Sequence, residues 1–137
     1  MRTVFADTNY WIAILNPRDD LHQKATSVSR SLGQVRIITS EMIFVELLND
    51  FAKRGTQFRE SAGECIRNLK RDPNTKIYPQ TSIQFAEALS LYSERKDKEW
   101  SLTDCASILI MQKENIGEIL SYDKHFQQAG FSTLLRD

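Results

Sequence analysis

VFADTN, residues 4–9, decides how this chain is read: an apolar run of strand character stops at an aspartate followed by two small polar residues. An acid at the end of a strand serves as the cap of the next helix or as a ligand in a site beyond the strand. A cap works alone, whereas a ligand needs other acids at the same place. The question is which other acids of the chain arrive there.

Outward from that stretch, short apolar runs rich in β-branched residues alternate with longer segments of helical period, the pattern of parallel strands joined by helical crossovers. TVFA (3–6) reads as the first strand and YWIAIL (10–15) as a short helix. After the turn NPRDD, residues 21–32 read as a helix capped by Asp20 and closed by Gly33. VRIIT (35–39) is a second strand, and Ser40 opens a helix that runs to about Arg54 and stops at Gly55. Further helices are expected over 58–70, from Ser82 to about Lys96, and from Asp104 to about Glu114, the last with Thr103 as its cap. KIYP (76–79) and EILSY (118–122) read as strands, and residues 131–135 as a possible edge strand. The expectation is one domain over residues 1–137, an α/β chain folded as a three-layer α/β/α sandwich on a mostly parallel sheet.

On that frame Asp7 follows the first strand, Asp123 follows a late strand in LSYDKHF, and Asp104 stands in the first turn of the helix entered through SLTD. Sites in parallel sheets form beyond the carboxyl ends of the strands, so these acids can converge. Each also has a structural reading: Asp7 and Asp123 as helix caps, Asp104 as a partner of a helix dipole. Glu46 is harder. If Phe44, Leu47, Leu48 and Phe51 form the core stripe of its helix, Glu46 falls with Asn49, Asp50 and Lys53 on the opposite face and points to solvent.

Composition restricts the classes. With 137 residues, 41% hydrophobic and 26% charged, the chain can bury a core unaided. No stretch approaches the roughly 18 apolar residues of a membrane span, and Asp7 and Asn9 interrupt the only candidate leader, so a soluble cytoplasmic protein is expected. Cys65 and Cys105 have neither disulfide-framework nor zinc spacing and read as ordinary thiols. The 18 basic and 18 acidic residues cancel, which announces no nucleic-acid binder. If four acids occupy one pocket, however, 14 remain against 18 bases and the outer surface turns mildly positive. The basic groups Lys53 and Arg54, then Arg67, Lys70 and Arg71, then Arg95, Lys96 and Lys98 read as solvated faces that are also candidates for phosphate contact. His125, two residues after Asp123, is a candidate to approach a substrate phosphate but reads first as an exposed loop histidine, His22 reads as superficial, Trp11, Phe44 and Phe51 as core or interface, and Trp100 stays ambiguous.

Taken in order, VFADTN, TSEMIFVELL, SLTDCASILIM and SYDKHF resemble the PIN-domain nucleases, especially VapC-type toxins of bacterial toxin–antitoxin pairs, over nearly the whole chain from Thr3 to about Leu135. The resemblance implies an acidic catalytic and metal-binding quartet on Asp7, Glu46, Asp104 and Asp123, with Asn9 orienting Asp7 or a metal-bound water. Asp50, one turn after Glu46, is a substitute or supporting partner for it. Ser121 stands where threonine is common, and Phe126 fills the expected apolar position. The resemblance further implies RNA as substrate, hydrolysis leaving a 5′-phosphate, a homodimer, and a small antitoxin covering the site.

Physics agrees with a cation. Two carboxylates about 5 Å apart repel by roughly 3 kcal/mol at an effective dielectric of 20, so four need neutralising. Oxygen donors suit Mg²⁺ or Mn²⁺ better than zinc. A housekeeping PIN-type RNA-processing nuclease and a noncatalytic partner-binding α/β module are the alternatives. A phosphatase of the haloacid dehalogenase type would need an acid where Asn9 stands.

Overall fold

The structure, a computed structural model, describes residues 1–136. In chain order the elements are β1 (Arg2–Ala6), α1 (Thr8–Leu15), α2 (His22–Leu32), β2 (Val35–Ser40), α3 (Glu41–Phe51), α4 (Thr56–Arg71), β3 (Thr75–Tyr78), α5 (Ser82–Glu94), α6 (Leu102–Glu114), β4 (Glu118–Leu120), α7 (Lys124–Gln128) and β5 (Ser132–Thr133). The five strands lie in the order β3-β2-β1-β4-β5, and every pairing among them is parallel. α1 to α4 pack on one another, and α6 packs on α5 and α7, which gives the three-layer α/β/α sandwich.

β1 is central because its residues are apolar on both sides of the pleat: Val4, Phe5 and Ala6 are all fully buried. A strand covered on both faces carries such a run instead of alternation. Its register pairs Phe5 with Ile38 of β2 on one side and Ile119 of β4 on the other. The chain winds outward from β1 through β2 to β3, then returns across the sheet to β4 on the far side of β1. The gap beyond the carboxyl ends of β1 and β4 is therefore the topological switch point, where such sheets form their sites.

Several element ends differ from the sequence reading. α1 starts at Thr8, because Asp7 accepts from the Thr8 N–H and fixes the first turn. α2 starts at His22 without a side-chain cap; Asp19, not Asp20, holds the approach by accepting from the Leu21 N–H at 3.0 Å. α4 starts at Thr56, directly after Gly55 at φ 97°, a left-handed conformation that glycine adopts without Cβ strain. Ser101, not Thr103, caps α6, in a reciprocal capping box with Asp104. Seven of the 13 residues of α6 are buried, so its period carries little amphipathic signal. β4 ends at Leu120, and the tail contributes only Ser132–Thr133 as an edge strand.

Trp11, Phe44 and Phe51 lie in the core, and Trp100 joins them at 7% exposure. His22 is half-buried instead of superficial, its Nδ1 at 2.6 Å from the Ala13 carbonyl. Both cysteines are free thiols, Cys105 buried and Cys65 half-buried. Among the described residues no helix is long and apolar enough to cross a membrane.

Candidate active site

Asp7, Glu46, Asp104 and Asp123 line one depression of about 330 Å³ at the switch point, together with Thr8, Asn9, Ile12, Glu99, Ser101 and His125. Each acid is delivered by a different local device. Asp7 leaves the buried end of β1 and caps α1. Asp123 follows β4 and caps α7, accepting from the His125 N–H at 2.9 Å. Asp104 is the third residue of α6, where its Oδ2 accepts from the Ser101 N–H at 3.0 Å while Ser101 Oγ accepts from the Asp104 N–H at 3.0 Å. The capping explanation and the site explanation are thus not rivals here. Three of the acids cap a helix start and face the same hollow.

Glu46 corrects the amphipathic reading of α3. The buried residues of that helix are Met42, Ile43, Phe44, Leu47 and Phe51, while Leu48 is 43% exposed. Replacing Leu48 by Met42 and Ile43 rotates the buried arc so that Glu46, one turn after Met42, falls inside it instead of opposite. Thr8 Oγ1 donates to Glu46 Oε1, tying α3 to the start of α1, and the Thr103 side chain also bonds Glu46. Asp50 does not line the depression. It pairs with Arg54 one turn on, with its Oδ2 at 2.9 Å from Nε.

Ser121 is the junction of the site. Fully buried, it donates from Oγ to Asp7 Oδ2 at 2.8 Å and accepts from the Asp123 N–H at 3.0 Å and from Asn9 Nδ2 at 3.2 Å. Asn9 therefore reaches Asp7 through this hydroxyl, and its Oδ1 accepts from the Tyr122 N–H at 3.4 Å.

His125 lines the depression and is partly buried instead of lying exposed on a loop. Its Nδ1 lies 3.0 Å from Asp104 Oδ2 and 3.2 Å from Asp123 Oδ1. The sequence signal was its position two residues after a helix-capping aspartate, in the first turn, where a side chain turns back toward the cap. Thr8, Ile12, Glu99 and Ser101 are the other lining residues that had not been singled out. Because of His125, the donor set is not all oxygen.

The electrostatics follow from burial. Removal from water pushes the Asp7 carboxyl up to about 7, against the bonds from Ser121 and Thr8, with Asp104 and Glu46 adding repulsion. Burial likewise raises Glu46 and Asp104, opposed by the Thr8 hydroxyl in the first case and by the Ser101 N–H and His125 in the second. Among the described residues, no lysine or arginine lines the depression. Buried acids without a fixed cation hold protons or a metal ion. Asp104, Asp123 and His125 each offer one ligand atom, all within 4.8 Å of one another, which fits a single ion.

The family model of the PIN domain matches residues 4–132. The 23S rRNA-specific endonuclease VapC20 of Mycobacterium tuberculosis is 27% identical over 128 residues, covering 93% of this chain and 95% of that protein. The crystal structure of M. tuberculosis VapC20, described as a Sarcin-Ricin loop cleaving toxin, superposes with a TM-score of 0.81 at 22% identity, over 93% of this chain and 95% of that one. FitAcB from Neisseria gonorrhoeae superposes with a TM-score of 0.63 at 16% identity, over 95% of each chain. The family model spans nearly the whole sequence, from the first strand to the last, and on that match the chain belongs to the PIN-domain family.

Proposed function

We propose that this chain is a metal-dependent endoribonuclease that hydrolyses RNA phosphodiester bonds, and that it acts as the toxin of a toxin–antitoxin pair in the cytoplasm. The observation that carries the reading is the convergence of Asp7, Glu46, Asp104 and Asp123 on one hollow at the switch point. The family match and the likeness to VapC20 support it.

Asp104 and Asp123 are the residues that would hold a divalent ion, with Asp7 and Glu46 completing the shell. Carboxylates favour Mg²⁺ or Mn²⁺, and the adjacent imidazole extends the set toward the nitrogen-tolerant Mn²⁺. When bound, such an ion activates water for attack on phosphorus and offsets negative charge on the phosphate oxygens. The chain's own groups do the positioning. Ser121 holds Asp7 and the start of the Asp123 turn in one register. Thr8 fixes Glu46. His125 spans Asp104 and Asp123, so α6 and α7 present their acids together.

Ribosomal RNA is the first substrate to try, because the VapC20 relative is named for it. A small antitoxin that covers the acids is the expected protein partner. A homodimer is also part of the proposal, supported by the exposed apolar side chains Ile83, Phe85 and Leu89 on α5. The test is cleavage of 23S rRNA with Mn²⁺ or Mg²⁺ and again with chelator. Cleavage that survives chelation refutes the mechanism. Activity retained by Asp104→Asn refutes the site.

A further inference from the structure

Beside the acidic hollow lies a second depression, of about 430 Å³, lined by Tyr92, Arg95, Lys96, Lys98, Glu99, Trp100 and Ser101. Glu99 and Ser101 line both, so the two are contiguous. Three of the seven lining residues are basic, whereas the acidic hollow has no lysine or arginine in its lining.

The segment that carries these bases is built rather than loose. Arg95 makes a two-pronged pair with Asp97, Nε to Oδ1 at 3.0 Å and Nη2 to Oδ2 at 3.1 Å. The same guanidinium lies over the Trp100 ring, 4.9 Å from its centroid. Trp100 is 7% exposed, and its indole N–H is a buried donor without a partner. Ser101 then locks the segment's end to Asp104 through the capping box. Asp97 thereby occupies Arg95 and also lies within charge range of Lys98, while Glu99 is the acid in the depression's own lining.

Resting on the proposed nuclease reading, we propose that this depression is a subsite for the RNA backbone, in which Lys96 and Lys98 contact phosphates flanking the scissile bond. The chemistry requires something of this kind. A hollow lined by five acids repels a polyanion except where its ion sits, so the flanking phosphates need cations on a neighbouring wall. Of the three basic groups in the sequence, the one over residues 95–98 lines a depression contiguous with the acids.

The test separates binding from cutting. Affinity for a fluorescently labelled single-stranded RNA is measured by anisotropy in Mn²⁺ on an Asp123→Asn background, with and without Lys96→Ala/Lys98→Ala, from 50 to 200 mM salt. Losing two single-strand phosphate contacts flattens the log–log salt slope by about 1.4, so the advantage of the parent over the double variant grows about sevenfold on going from 200 to 50 mM. On the wild-type background the same pair of substitutions raises KM for RNA and leaves kcat and Mn²⁺ affinity unchanged, while Lys70→Ala/Arg71→Ala on α4 changes neither slope nor KM. A slope unaltered by Lys96→Ala/Lys98→Ala overturns the subsite even if the wild type cuts RNA. A flattened slope with no cutting by the wild type keeps the subsite and overturns the nuclease reading. Equal losses from the α4 pair also overturn it, because they signify diffuse attraction with no localised subsite.

Discussion

Asp7→Asn should make the metal-free protein more stable, and by an amount that depends on pH. The folded state lifts the Asp7 carboxyl from 3.8 to about 7, chiefly by burial, so the ionised folded form is disfavoured by about 4 kcal/mol relative to an ordinary aspartate. The sign follows from linkage. A group with a raised folded pKa contributes its full stability only below the unfolded value, loses it progressively as pH climbs toward 7, and has lost all of it above that. Asparagine has the shape of the protonated acid and does not ionise. Its Oδ1 still accepts from the Thr8 N–H, while the bond from Ser121 must reorganise at a cost of about 1 kcal/mol. The stability difference between variant and wild type should thus be near zero or slightly negative at pH 4. It should rise through pH 5 and 6 and level off above pH 7 at about 3 kcal/mol in favour of the variant. The assay is urea unfolding in chelator from pH 4 to 8, repeated with Mn²⁺, which should stabilise the wild type more than the variant, since the variant keeps Asp104 and Asp123. A difference that stays flat with pH would refute the claim that Asp7 is a buried, uncompensated carboxyl.

Other substitutions test the neighbouring groups. Ser121→Ala leaves the Asp123 N–H, the Asn9 amide and Asp7 each short of a partner, and should lower stability in urea by about 1–3 kcal/mol. His125→Ala should weaken Mn²⁺ binding in calorimetric titration by about tenfold, the lower end for loss of a supporting contact; unchanged affinity would return this residue to a passive role. Glu46→Gln keeps the size of the side chain and should depress RNA cleavage while sparing the fold, checked by cleavage rate against melting temperature. Leu47→Ala, at a fully buried position in α3, should cost about 2–5 kcal/mol by opening a cavity and would weaken the site only through the fold.

The strand-and-acid logic of VFADTN was readable because β1 is covered on both faces and its apolar run ends where the polar site begins. Asp104 and Asp123 were readable for a related reason: aspartate at a helix start is a strong local signal whether or not it also serves chemistry. Glu46 was not, since a helix whose buried arc borders a polar hollow carries an acid inside that arc, and periodicity assigns acids outward. Counting Leu48 as core shifted the apparent axis and made the error larger. His125 was ranked below the acids because its place at the hollow depends on α6 and α7 meeting, and that contact joins residues 21 apart in sequence. Asp50 attracted attention by its spacing from Glu46, but Arg54 lies one turn further and claims it.

The double duty of Asp104, lock of the first turn of α6 and member of the acid cluster, bears on how cells would escape a toxin of the proposed kind. Survivors selected from cells forced to express the protein should divide into two kinds. Lesions at Asp104 that delete the carboxylate would also loosen the helix and yield little protein, whereas Asp123→Asn, which keeps a competent cap, should accumulate as an inert, well-folded chain still able to bind the proposed antitoxin.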